Sequence, residues 1–162
     1  MTIYLNIPGV EGTVSSENHR GYIEIYDADF LGVSTPITMI TGRPTDRMNG
    51  SPSFGQIAIL KKLDKSSYKL FEAVHSAKVY PSIELHYVTL IGGEQTTYAI
   101  TKLTNAAFTH YSECFSSDTG VPEEHIRIAY TQIQRTYKPR SEIGGFQSPL
   151  ITGYDLEQAK AL

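Results

Sequence analysis

Histidine is the residue type in this chain best suited to binding a metal or transferring a proton near neutral pH. A zinc site needs its ligands at close, recurring spacings on a helix or in a knuckle. None of the five histidines of this 162-residue chain pairs with another at such a spacing; they are His19, His75, His86, His110 and His125. The sequence therefore predicts no metal site.

The motifs that prepare a nucleophile or a phosphate-binding loop are also missing. There is no G-x-S-x-G elbow, no Walker A loop, and no G-x-G-x-x-G between a strand and a helix. Cys114 has Ser112, Ser116 and Ser117 nearby, but no base is identifiable, and a loop thiol without a base is usually inert. We predict no catalytic residue, no cofactor and no enzymatic activity.

Two acidic pairs are the remaining candidates for acid–base chemistry. Glu123 and Glu124 are adjacent, so in an extended segment they point to opposite sides and cannot act on one substrate bond. Asp27 and Asp29 share a face of a predicted strand, but the sequence shows no basic or histidine partner near them. We interpret Asp27 and Asp29 as a polar strip that faces water.

Composition sets the class of protein that must position these residues. Hydrophobic residues make up 40% of the chain and charged residues 19%, which is enough to bury a core. The formal net charge of -3 favours neither nucleic acid nor an anionic membrane as a partner, and no apolar run is long enough for membrane insertion. The first residues lack the basic region of a signal peptide, and the lone Cys114 fits synthesis in a reducing cytoplasm.

Short alternating segments, typical of strands with one buried face, dominate the chain. We predict strands over residues 3–7, 22–30, 56–60, 83–91, 94–103, 106–111 and 125–137. Gly92-Gly93 should form the tight turn of a hairpin. The tail from Lys138 onward adds one more strand or a short helical piece near its end.

One internal helix follows the N-cap candidates in Asp64–Ser67. Leu70, Phe71 and Val74 form one stripe, which should pack on the strands. The fold class is therefore mainly β, a two-sheet β-barrel or sandwich with one α-helix packed outside and a long extended loop. We predict one domain, with the β-barrel over residues 1–140 and residues 141–162 as a C-terminal tail of the same domain.

The long loop from Leu31 to Pro52 is rich in Gly, Pro, Ser and Thr. Loops of this length are uncommon in compact domains unless they have a role. Its apolar residues would lie partly in water on an isolated subunit, which makes them candidates for contacts between subunits; they are Ile37, Met39, Ile40 and Met48.

The segment 62–73 reads Lys-Leu-Asp-Lys-Ser-Ser-Tyr-Lys-Leu-Phe-Glu-Ala. It is the strongest part of a resemblance, from Gln56 onward, to the Hcp family of the type VI secretion system, which usually has Pro where Tyr68 stands. The resemblance continues through Ile91-Gly92-Gly93-Glu94 and through Pro122-Glu123-Glu124. Arg135-Thr136-Tyr137 and Gly153-Tyr154-Asp155-Leu156 resemble the family's Trp-Thr-Tyr and Gly-Trp-Asp-Leu, each without the Trp.

This resemblance implies a structural subunit that forms homohexameric rings. The rings would stack into a tube inside a contractile sheath, with a spike protein at the tip and effector proteins carried in the lumen. Asp27 and Asp29 become candidates for residues that face the lumen. The protein would be cytoplasmic before assembly and then secreted by the apparatus without an N-terminal signal peptide.

Two alternatives remain open from the sequence. A phage-like tail tube subunit would use the same fold, and its genome neighbourhood would carry capsid and tail-fibre genes. A monomeric ligand-binding β-barrel, or an enzyme with a dispersed site, would run as a monomer with a deep enclosed pocket.

Overall fold

The computed structural model describes residues 1–37, 50–118, 120–141 and 145–162. This part of the chain contains one α-helix, α1 (Ser67–His75), and one short 3-10 helix, η1 (Glu17–His19). The remaining elements are strands: β1 Thr2–Asn6, β2 Ile23–Ile25, β3 Asp27–Phe30, β4 Val33–Ser34, β5 Ser53–Phe54, β6 Ile57–Lys62, β7 Val79–Ile91, β8 Glu94–Cys114, β9 Glu123–Ala129, β10 Gln132–Tyr137, β11 Leu150–Asp155 and β12 Lys160–Ala161.

Ten of these strands form one antiparallel sheet that folds over on itself. One arm has the order β12-β11-β10-β8-β7-β1-β2, and the other runs from β8 through β9 and β6 to β3. The long strand β8 belongs to both arms, since Thr104 pairs with β10 and Ala107 with β9. Asn105 between them has a φ of 47°, which bends the strand there. The mainly β prediction is confirmed, and the hydrogen-bonded sheet is not closed into a barrel.

The core lies between the two arms and is built from alternate residues of the strands. Ile57 and Ile59 of β6 stand opposite Ile128 and Ile126 of β9, and all four side chains are buried. The first arm supplies further buried side chains: Ile3, Leu5, Ile83, Leu85, Leu103 and Ile133. This period-2 burial is the pattern that the sequence predicts.

Helix α1 packs on β8 through Leu70 and Ala73, which are both buried. Val74 lies partly buried against the same core. Phe71 is 55% exposed, so its predicted place in the buried stripe is wrong. The side chains that face the core recur every three residues from Ser67, and Phe71 falls on the other side of the helix.

Several predicted boundaries differ from the structure. The predicted strand over 22–30 is divided at Tyr26, and the one over 125–137 is divided at Tyr130 and Thr131. Predicted strands 94–103 and 106–111 are instead parts of the single strand β8. The hairpin turn is confirmed, with φ values of 60° at Gly92 and 90° at Gly93.

The C-terminal tail joins the sheet as strands, because β11 pairs with β10 over its whole length and β12 pairs with β11. The two ends of the loop 31–52 also meet, as Val33 pairs with Phe54. No helix among the described residues is long and apolar enough to span a membrane.

Candidate functional site: a buried polar cluster and assembly surfaces

A buried ion pair lies at the end of β6. The ammonium group of Lys61 donates to a carboxylate oxygen of Glu124 at 2.6 Å, and both side chains have no solvent exposure. Lys61 and Glu124 stand directly opposite each other on β6 and β9. The same ammonium group donates to Oδ1 of Asp64 and to Oγ of Ser67, each at 3.0 Å. Every proton of this buried cation can therefore be hydrogen-bonded, as burial of a charge requires.

The cluster also fixes the turn that leads into α1. The backbone N–H of Asp64 donates to Oγ of Ser67 at 2.9 Å, and the N–H of Ser66 donates to the Asp64 carboxylate at 2.8 Å. Asp64, Ser66 and Ser67 belong to the segment that most resembles the Hcp family. Their polar side chains hold the start of the helix against β6.

Strand β8 closes the other side of the cluster. The hydroxyl of Tyr111 donates to Glu124 at 2.7 Å and lies 2.5 Å from a carboxylate oxygen of Glu113. Burial raises the pKa of Tyr111, and the hydrogen bonds to Glu113 and Glu124 raise it further. Tyr111 thus stays a neutral donor and satisfies the second oxygen of Glu124.

Lys61 and Ser67 have the types and the spacing of a Ser–Lys nucleophile and base. Both side chains are sealed from solvent, at 0% and 1% exposure. A substrate therefore has no access to Ser67. The cluster links β6, β8, β9 and the start of α1.

Sequence reasoning missed this cluster, although a signal for it was present. Lys61 continues the buried positions Ile57 and Ile59 of β6, and Glu124 shares the buried face of β9 with Ile126. Two opposite charges at core positions of neighbouring strands indicate a buried ion pair. Glu123 points to the other side, as predicted, and is partly exposed.

Asp27 and Asp29 are exposed on β3, on the face turned away from the core. They border a shallow cavity of about 420 Å³ that crosses β6 and reaches β9 and β8. Its other polar side chains are His110, Ser112, His125 and Arg127. The polar strip predicted from sequence is therefore wider than the two aspartates, because strand pairing adds residues distant in the chain.

Among the subunit-contact candidates, Ile37 lies within the described residues and is 57% exposed. Met39, Ile40 and Met48 lie outside the described residues. The structure accordingly describes one of the four.

Strand β11 presents a further apolar surface at its start, which β12 does not pair with. Leu150 is 62% exposed and Ile151 is 59% exposed, and as consecutive residues of a strand they point to opposite faces of the sheet. Leu162, just after β12, is also exposed. Exposed apolar residues on both faces of a sheet edge are typical of a contact surface.

A groove adjoins this edge. A cavity of about 280 Å³ lies beside Leu150 and Ile151, and Tyr87, Arg135 and Tyr137 line both it and a neighbouring cavity of about 370 Å³. No acidic residue of the described part forms an ion pair with Arg135. The edge and the groove together form a mostly apolar surface with one free cation.

Among the described residues, no group of three or more His, Cys, Asp or Glu side chains is placed to hold a metal ion. Cys114, at the end of β8, is exposed.

The sequence profile of the family described as "Type VI secretion system effector, Hcp" matches residues 4–137. The chain therefore belongs to the Hcp family. Hcp proteins are structural, secreted components of the type VI secretion system and are not known as enzymes. The comparison with curated proteins gave no match.

Solved structures share the fold of this chain. "Structure of a type six secretion system protein" is 24% identical, with 99% of each chain covered and a TM-score of 0.89. Hcp1 from Salmonella typhimurium is 20% identical, with 99% of this chain and 98% of that chain covered and a TM-score of 0.76. A type VI secretion system effector from Yersinia pestis is 18% identical, covers 94% of this chain and 98% of its own, and has a TM-score of 0.75.

Proposed function

We propose that this protein is a tube subunit of a type VI secretion system and assembles into rings of six that stack into a tube. The observation that carries the proposal is the match of the Hcp family to residues 4–137. The tube would lie inside a contractile sheath, carry a spike protein at its tip and be expelled from the cytoplasm with its effector cargo.

The edge strand β11 supports self-association. A single flat partner could cover Leu150 or Ile151, but covering both faces requires neighbouring groups on both sides of the sheet edge. A repeated head-to-tail contact closes into a ring when its rotation allows it. Each 100 Å² of apolar surface buried at such a contact contributes about 2.5 kcal/mol before ordering costs.

The loop 31–52 would add contacts within or between rings. Ile37 is exposed on the isolated subunit and would be buried by a neighbour, together with Met39, Ile40 and Met48. Replacing Ile37, Met39 and Ile40 together by Ser should leave the subunit folded by circular dichroism but weaken ring formation, stacking and export. Unchanged rings, tubes and export would contradict this role for the loop.

Asp27 and Asp29 would face the lumen. Their surface is polar, concave and free of large exposed apolar side chains, as suits the wall of a water-filled channel that carries folded cargo. The contact between cargo and wall would then be made by polar groups from β3, β8 and β9.

Native mass spectrometry of the full chain tests the assembly. Six copies of the 18.0 kDa chain give a ring of about 108 kDa. Leu150→Asp and Ile151→Asp should each shift the population towards monomer, because each places a charge in the proposed contact. Tyr68→Asp, a matched control at an exposed aromatic residue of α1, should leave the ring intact.

Only monomer in the wild type across micromolar concentrations would overturn the proposal and favour the ligand-binding alternative. If rings persist in both β11 variants, the protein is still a hexamer, but the contact between its subunits does not involve Leu150 and Ile151.

A further inference from the structure

Residues 11–22, which we call the strap, fold back over the face of β1 and β7 that is turned away from the core. Backbone hydrogen bonds join the two halves of the strap to each other. They link Gly12 with Gly21, Gly21 with Val14, and Val14 with Tyr22. Its docking on the sheet therefore depends on side chains. The 3-10 helix η1 at its centre has one buried residue, His19.

His19 of η1 is the side chain that anchors the strap. It is 3% exposed and inserts between elements that are distant in sequence. Its ring lies 4.9 Å from that of Tyr4 on β1 and 5.5 Å from that of His86 on β7. Its Nε2 lies 3.1 Å from Oγ1 of Thr97 on β8. One imidazole thus touches three strands.

The polar groups around this imidazole are incompletely satisfied. Among the described residues, the buried side-chain atoms without a hydrogen-bond partner are Oγ of Ser16, Nδ1 of His19 and Oε1 of Gln95. Ser16 precedes η1, and the amide of Gln95 donates to the hydroxyl of Tyr4, so both groups belong to the surroundings of His19. Buried polar atoms without partners oppose burial, and exposure of this interface to water would satisfy them.

A second titratable residue faces His19. The Nε2 of His86 lies 3.1 Å from a carboxylate oxygen of Glu84 on the same strand, and Lys102 of β8 lies 4.0 Å from the other oxygen. A proton on His19 would lie beside this second imidazole, and His86 acts to lower the pKa of His19.

The other groups near His19 do not offset that charge. Tyr4 and Tyr22 contact the imidazole through their rings. Burial raises the pKa of Tyr22, and Glu84 raises it further. Glu17 and Arg20, the charged residues of the strap beside His19, are both exposed and of opposite sign.

We propose that His19 is a pH-dependent latch: the strap stays docked while His19 is neutral and is released from β1 and β7 when His19 binds a proton. Protonation makes both ring nitrogens donors, although the described residues provide no acceptor at Nδ1, and it places a cation beside His86. Release lets water solvate the imidazolium, the carbonyl of Gln95 and the hydroxyl of Ser16. The inference concerns the subunit alone and does not depend on the proposed function.

The direction of the pH dependence follows from the pKa of His19. Burial lowers this pKa below the ordinary value of 6.5, and His86 lowers it further. The undocked strap therefore binds the proton more tightly than the docked one. Docking is fully favourable above pH 6.5 and weakens as pH falls towards the lowered pKa.

Hydrogen–deuterium exchange of the full chain, read by mass spectrometry on peptides from the strap, measures the release. Between about pH 7.5 and about pH 5.5, strap opening should rise severalfold, to a limit of about tenfold for one proton. His19→Phe, measured at the same pH values, corrects for the intrinsic pH dependence of exchange. It retains a ring at the position of His19 and has no site for the proton, so its strap should show no excess opening at low pH.

His86→Gln removes the imidazole that lowers the pKa of His19 and should give a smaller pH effect than the wild type. His75→Gln, at an exposed position of α1, should retain the full effect. If the strap of His19→Phe fails to dock, NMR titration of the wild-type imidazoles tests the latch instead, because the latch requires a His19 pKa below 6.5. An ordinary His19 pKa would overturn the latch. The latch would also be overturned if strap opening in wild type and in His19→Phe showed equal pH dependence. The same holds if acid opened β7 and β8 together with the strap.

Discussion

Lys61 and Glu124, which are 63 residues apart in the sequence, form an ion pair of 2.6 Å with no solvent exposure on either side chain. Pairs of this kind cost most when one partner is lost, because the other charge stays buried without compensation. The fold therefore depends on a contact that carries no catalytic chemistry.

Removing one member of this pair should destabilise the subunit strongly. Lys61→Met or Glu124→Leu should each cost about 3–5 kcal/mol, because a buried charge loses its partner. The double variant Lys61→Met/Glu124→Leu should cost clearly less than the sum of the two single changes. Chemical denaturation at a fixed protein concentration measures all three, and strictly additive costs would show that the two charges do not interact.

Helix α1 offers two adjacent residues with opposite environments. Leu70→Asp would bury a charge at a fully buried position and should cost more than about 3 kcal/mol. Phe71→Asp should cost only about 1 kcal/mol, because Phe71 is largely exposed and loses little more than its ring contacts with Tyr111 and His75. Thermal unfolding of the two variants tests the orientation of the helix, and equal losses would contradict it.

Tyr130 joins the core to the loop before β6, since its hydroxyl donates to the carbonyl of Gly55 at 2.8 Å. Tyr130→Phe should cost about 1 kcal/mol, the net value of one such bond. Burial raises the pKa of Tyr130 to about 12, so its stabilising effect should be present below pH 10.0 and decline as pH rises towards 12. Ultraviolet titration should show one late-titrating phenol fewer in Tyr130→Phe than in the wild type, and equal numbers in the two proteins would contradict the burial of Tyr130.

Asp155 holds the turn between β11 and β12. Its carboxylate accepts from the N–H of Gln158 at 2.9 Å and from the amide of Gln132 at 2.6 Å. The hydrogen bond from Gln158 is the main cause that lowers the pKa of Asp155 from 3.8. The carboxylate should therefore stabilise the tail above pH 3.8 and lose this effect as pH falls through the lowered pKa.

Asp155→Asn should accordingly melt at a lower temperature than the wild type at neutral pH, and this difference in melting temperature should become smaller in acid. Glu157→Gln is the matched control, because Glu157 is exposed and the substitution keeps its backbone hydrogen bond, which helps to lower the pKa of Asp155. A difference in melting temperature that stays constant down to low pH would show that the charge of Asp155 does not stabilise the tail.

The sequence by itself determined the features that depend on local periodicity and turn chemistry. The alternation of Ile57 with Ile59 and of Ile126 with Ile128 predicted strands with a buried face, and these residues are buried in the structure. Gly92-Gly93 predicted a hairpin, because glycine adopts the positive φ values found there. The ordered motifs of residues 62–156 were sufficient to identify the Hcp family.

Only the tertiary structure decided which distant residues meet. The pairing of Lys61 with Glu124 and the contact of His19 with His86 depend on strand register, which a local pattern does not specify. The outward orientation of Phe71 depends on which side of α1 meets β8, since Leu70 and Phe71 are equally apolar in the sequence. Periodicity gives each element its buried face, but the packing of one element on another fixes the contacts from which stability and titration behaviour arise.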